Sequence, residues 1–170
     1  MAKIGIVMGS DSDWPVIEPG VRLLSELGVE SEVIVASAHR TPETVRDFVT
    51  SAKERGLEVL IAVAGAAAHL PGVVASFTIL PVIGVPVSGS ALKGIDALLS
   101  IVQMPSGIPV GTMAIDGGKN AALYALSILA LKNETLAKRL LDFRNIQAEE
   151  VRKKDVALQE KIKETVKGAV

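Results

Sequence analysis

From Glu58 to Ala64 the chain reads EVLIAVA. After the leading glutamate every residue is apolar, so neither face of this segment can be turned to water. A short run of this kind, closed at Gly65 by a Gly/Ala-rich turn, is a strand buried on both faces. Its neighbours along the chain read alike. Lys3–Met8 (KIGIVM) and Glu32–Ala36 (EVIVA) lie upstream, and Pro81–Pro86 and Ile108–Ala114 lie downstream.

Helical patterns fill the spaces between these runs. Asp13 stands where it can cap a helix, Pro15 suits a first turn, and Val16, Val21, Leu24 and Leu27 supply an apolar face that Gly28 ends. Thr41 is the N-cap and Pro42 the first residue of a second helix, which runs to about Arg55 and stops at Gly56. A short helix reaches about Thr78, another begins over Asp96–Ile101, and Asn120–Leu131 is an Ala/Leu-rich helix. Asn133 caps a last helix extending to Val166. Buried strands alternating with helices make a parallel sheet with helices on each side, joined by right-handed crossovers. The expected architecture is a three-layer α/β/α sandwich of about five parallel strands, flavodoxin-like or Rossmann-like, with a long C-terminal helix.

Composition narrows the function. The chain has 170 residues, no cysteine and two histidines, which removes disulfides, thiolate metal sites, a cysteine nucleophile and a poly-histidine metal centre. A net charge of −1 argues against bulk binding to nucleic acid or an anionic membrane. The hydrophobic fraction is 49% but aromatics are only 3%, so the core is built from Ala, Val, Ile and Leu. No segment reads as a secretory signal or a membrane span, and a cytoplasmic location is expected. Residues 132–167 carry 10 of the 18 Lys and Arg and 7 of the 19 Asp and Glu. Residues 1–131 are therefore charge-poor, and either their surface is small and polar or other subunits bury much of it. The expected division is a catalytic α/β domain, residues 1–131, and a C-terminal helical extension, residues 132–170. Leu136, Leu140, Phe143, Ile146 and Val151 form an apolar stripe on that extension. It lies either on its own subunit or across a neighbour, the second being preferred.

In open α/β sheets ligands bind at the carboxyl ends of the strands. Three turns in that position hold nearly all the polar chemistry of the first hundred residues: Gly9–Asp13, Ser37–Pro42 and Gly65–Gly72. Ser10, Ser12 and Ser37 offer hydroxyls, and Arg40 is the one cation in these loops. That set suits a phosphate. Neither GxGxxG nor a Walker A sequence is present, so a nucleoside monophosphate or sugar phosphate is favoured over a dinucleotide or triphosphate. Asp13 can serve as a helix cap, as an acceptor for ribose hydroxyls, or as both. His39 is either a structural residue or a proton carrier beside Arg40. His69 either ties down its own loop or touches the ligand.

The loops also carry a resemblance. Met8-Gly9-Ser10-Asp11-Ser12-Asp13-Trp14 resembles the MGSxSDW motif of the N5-carboxyaminoimidazole ribonucleotide mutase family, also called the catalytic subunit of phosphoribosylaminoimidazole carboxylase. Ser37–Pro42 is similar to that family's SAHRTP loop and Ala67–Gly72 to its AAHLPG loop. Gly84–Val87, Ser100–Pro105 and Gly107–Thr112 are similar to its later motifs. The resemblance spans roughly residues 3–130. Arg40-Thr41 resembles the mutase branch, whereas the carboxylase branch typically has Lys-Gly there. Ala66 stands where many members have Gly, which implies a slightly different loop if the backbone there needs a positive φ.

The resemblance implies an isomerase of purine biosynthesis that moves a carboxylate from an exocyclic nitrogen to ring carbon 4 of a small ribonucleotide, with no metal or organic cofactor. His39 would shuttle the proton. Ser10, Ser12, Ser37 and Arg40 would hold the phosphate and Asp13 the ribose. The Gly65–Leu70 loop would close over the base and CO2, with His69 lining it. A homo-octamer is implied as well. The competing readings are a carboxylase using free CO2 and a non-enzymatic flavodoxin-like module; a lone tryptophan and loops free of stacking aromatics count against flavin.

Overall fold

The computed structural model describes residues 3–66 and 69–167. Strand β1 (Lys3–Met8) leads through a 3-10 turn at Asp11–Asp13 into α1 (Trp14–Glu26). Then follow β2 (Glu30–Val35), α2 (Pro42–Thr50), β3 (Leu57–Gly65), α3 (Leu70–Ser76), β4 (Val82–Val87), α4 (Ile95–Val102), β5 (Gly111–Thr112), α5 (Gly118–Ala130) and α6 (Glu134–Lys167). The strands form one sheet in the order β2-β1-β3-β4-β5, every neighbouring pair parallel. This is the doubly wound, flavodoxin-like arrangement expected.

The sheet divides the apolar residues by parity. Ile4, Ile6, Met8, Ile61, Val63 and Val85 face α1, α5 and the root of α6. Val7, Leu60, Ala62 and Ala64 face α2, α3 and α4, against Val45, Phe48, Leu70, Val74 and Ile101. Successive side chains of a strand point to opposite faces, so a run apolar at every position is what a two-sided core requires.

Several boundaries differ from expectation. The fifth strand was expected over Ile108–Ala114 but is only two residues long. Pro109 has no N–H to give a ladder, and the pairing to β4 starts only at Gly111. β2 begins two residues early and is only half-buried, because it is an edge strand with one lateral neighbour. α2 ends at Thr50, five residues short of Arg55. Turns follow, Gly56 takes φ +80, and Arg55 folds back to bond Glu32 Oε2 at 2.9 Å and the Phe48 carbonyl at 3.0 Å. The buried face of α1 is Ile17, Gly20, Leu23 and Leu24, while Val16, Val21 and Leu27 only flank it.

Gly20 and Gly118 explain that rotation. A Cβ on Gly118 would lie 2.1 Å from the Val16 carbonyl oxygen, and one on Gly20 would lie 2.8 Å from the Gly118 carbonyl oxygen. The two helices touch backbone to backbone, and only glycine permits it. Asn133 does cap α6, its Oδ1 accepting the Leu136 N–H at 3.0 Å. Leu136 and Leu140 in the first turns of α6 are buried in the core; Ile146, Val151, Leu158 and Ile162 further along are exposed. Among the described residues no helix is long and apolar enough to cross a membrane.

Candidate active site

The carboxyl ends of β1, β2 and β3 open on one edge of the sheet, and a cavity of about 460 Å³ lies there. Ser10, Ser12 and Asp13 reach it from the turn after β1. Ser37, His39 and Arg40 reach it from the turn after β2, and Gly65 and Leu70 from the β3–α3 connection. His69 is not among the lining residues. Its ring packs over Gly72, where an added Cβ would collide with the imidazole, and its buried Nδ1 has no hydrogen-bond partner among the described residues. Ala67 and Ala68 of the third motif lie outside the described residues.

The local bonding knits these loops together. Ser12 Oγ donates to Ser10 Oγ at 2.8 Å, and Ser10 Oγ donates to Asp11 Oδ1 at 3.2 Å. Arg40 Nη2 donates to the Gly9 carbonyl at 3.1 Å, so the second loop is tied across to the first. Ser37 Oγ accepts the His39 and Arg40 amides, both at 3.3 Å. Three hydroxyls and a guanidinium thus line the same cavity, groups of the kind that donate to an anion.

Among the described residues Asp13 is the one charged residue that is buried, at 7% exposure. It occupies the N-cap position of α1, but its side chain makes no capping bond; Ser10 caps the preceding 3-10 turn instead, accepting the Ser12 amide. The side-chain cap expected of Asp13 is thus absent, and the residue lines the cavity. Burial raises its pKa above 3.8, the Ser10 backbone hydrogen bond opposes that shift, and the Asp11 charge adds to it.

Ala66 adopts φ +52. The loop keeps a left-handed residue where glycine would sit without strain, at a cost of about 1–2 kcal/mol for an L-residue. Alanine thus adopts the left-handed backbone here, so its presence does not by itself require an altered loop.

Ala64, Val87 and Gly89 also line the cavity and were not singled out from sequence. Val87 ends β4 and Gly89 follows it, so the strand-end rule applied to that strand would have found them. Among the described residues no cluster of His, Asp or Glu is arranged to hold a metal.

An open parallel sheet with a serine, arginine, aspartate and histidine cleft at its strand ends defines a doubly wound α/β protein. The chain belongs to the AIR carboxylase family, whose model matches residues 3–150. A protein of Methanocaldococcus jannaschii named N5-carboxyaminoimidazole ribonucleotide mutase is 57% identical over 164 residues, covering 96% of this chain and 99% of that one. A Pyrococcus horikoshii protein of the same name is 54% identical over 157 residues, covering 92% and 89%. The crystal structure of Treponema denticola PurE superposes with a TM-score of 0.82 at 28% identity, covering 93% of this chain and 99% of that one.

Proposed function

We propose that this chain is an N5-carboxyaminoimidazole ribonucleotide mutase, an isomerase of purine biosynthesis acting on a small ribonucleotide. The relatives of that name, aligned along nearly the whole chain, support the activity. The observation that carries the assignment of residues is the meeting of Ser10, Ser12, Asp13, Ser37, His39 and Arg40 around one cavity.

Ser10, Ser12, Ser37 and Arg40 hold the phosphate, and Asp13 accepts hydrogen bonds from the ribose. The base then lies toward Gly65 and Leu70. His39 as imidazolium donates a proton to the exocyclic nitrogen as the N–CO2 bond breaks, leaving aminoimidazole ribonucleotide and CO2. Ring carbon 4 attacks the carbon of CO2. Neutral His39 then removes the hydrogen from that ring carbon, which restores aromaticity and the imidazolium. The proton is returned each cycle, so the reaction is a net isomerisation. Imidazole suits both transfers because both protonation states are accessible near neutrality. Gly65 and Leu70, which line the cavity, bound the space for the base and CO2, where exclusion of water keeps CO2 from escaping.

The test is a comparison of substrates. The carboxyamino nucleotide is converted with neither ATP nor added bicarbonate. Conversion of aminoimidazole ribonucleotide with CO2 alone, and none of the carboxyamino compound, would move the chain to the carboxylase branch.

The distribution of exposed apolar residues supports an assembly, and its size is the one the family resemblance implies. Val151, Leu158 and Ile162 continue the helix face on which Leu136 and Leu140 enter the core, yet they lie exposed on their own chain. We read α6 beyond its root as an arm on a neighbouring copy, in a cytoplasmic homo-octamer. Light scattering of the intact chain should give eight subunits, and Leu158→Glu with Ile162→Glu should give a smaller particle. An unchanged mass for that double variant sinks the arm.

A further inference from the structure

We infer that Thr41 is a positioning residue of the reaction: its side-chain hydroxyl closes residues 37–41 into a ring that fixes where His39 stands. The inference rests on the mutase reading for its kinetic consequence and on the structure for the ring itself.

Thr41 occupies the N-cap position of α2, with Pro42 following. A threonine there ordinarily accepts an amide from the first turn of the helix. Here it makes no such bond. Its Oγ1 turns back instead, accepting the Ser37 N–H at 2.9 Å and donating to the Ser37 carbonyl at 3.3 Å. The Thr41 N–H reaches the same carbonyl at 2.8 Å. Both backbone polar groups of Ser37 are thus held by one hydroxyl, and α2 forgoes its side-chain cap.

Within the ring, Ser37 Oγ accepts the His39 and Arg40 amides. The position of His39 is therefore set through Ser37, and that of Ser37 through Thr41. Among the described residues no hydrogen bond reaches the His39 imidazole, so its backbone anchor decides where the ring sits. Val45 and Phe48 bury α2 against the sheet, so the far end of the ring is rigid. A hydroxyl is needed because it must accept and donate at once. Valine keeps the shape and does neither; serine keeps both.

The experiment uses the full-length protein in its native assembly, as wild type, Thr41→Val and Thr41→Ser. Thr41→Val should lower kcat by about 30- to 100-fold, the scale of a catalytic group displaced by about 1 Å. KM should rise less, and the pH profile of kcat should keep its midpoints, because the imidazole is misplaced and not altered. Thr41→Ser should recover kcat to within about threefold of wild type. Amide exchange gives a readout independent of turnover: the 37, 39 and 40 amides should exchange about tenfold faster in Thr41→Val, with the melting temperature unchanged.

Unchanged exchange at those amides, or a serine variant as impaired as the valine one, overturns the proposal. So does a valine variant that melts well below wild type while its folded fraction keeps full kcat. If wild type fails to convert the carboxyamino nucleotide but the exchange difference is present, the functional reading fails and the hold of Thr41 on the loop stands.

Discussion

His39→Asn should bind the ribonucleotide with little change and lose turnover by about 10²–10⁴-fold, the range that one positioned acid–base group supplies. The reason lies in the composition as much as in the cavity. The chain has no cysteine and two histidines, and the other imidazole is packed over Gly72. Asp13 is a poor substitute: a carboxyl that must both give a proton to nitrogen and take one from carbon needs a pKa near the working pH. Asparagine keeps the size and polarity of imidazole's inner half and cannot exchange a proton. Calorimetry with aminoimidazole ribonucleotide checks binding, and stopped-time assays of the carboxyamino compound check turnover. Near-normal kcat in the variant removes His39 from the chemistry.

Asp13→Asn should move stability and activity in opposite directions. Burial holds the carboxyl above 3.8 in the folded protein, while in the unfolded chain it titrates at its ordinary value. Between those two values the folded state binds the proton that the unfolded state has lost, so stability falls as pH rises through that window and stays lower above it. Asparagine removes the buried charge. The variant should melt higher than wild type at neutral pH, and the difference should fade as the pH approaches 3.8. Over the same range kcat/KM should fall by about 10- to 100-fold, the worth of charge-assisted hydrogen bonds to the sugar. A variant that melts lower at neutral pH with an unaltered KM contradicts both halves of the argument.

The interior of the sheet was legible in the sequence because burial on two faces leaves a plain record. EVLIAVA admits no amphipathic alternative, and β1, β3 and β4 fall within a residue or so of the expected spans at nearly every end. The margins were less legible. The fifth strand was apolar enough, but Pro109 and the irregular segment before it deny it a ladder. The face of α1 was misjudged because side-chain size was weighed and absence of side chain was not: Gly20 is among its most buried residues. At the cavity, the strand-end rule located the first three loops from residue types alone. Val87 and Gly89 escaped because they carry no polar group. The orientation of His69 could not be read, since it depends on the room left over Gly72, three residues further along the helix. Thr41 was placed correctly at the N-cap position of α2, but the turn of its hydroxyl back to Ser37 was not legible, because capping and loop closure call for the same residue type.

The seam between α1 and α5 has a bearing on the cavity. Gly118 presses on the carbonyl of Val16, one turn from Asp13, so the distance between these helices and the aim of the serine loop are set together. A single methyl group there would wedge the first turn of α1 outward and shift the loop that carries Ser10 and Ser12, the residues proposed to hold the phosphate. The packing of two helices is therefore coupled to the geometry of the cavity loop, through two positions that have room for no side chain at all.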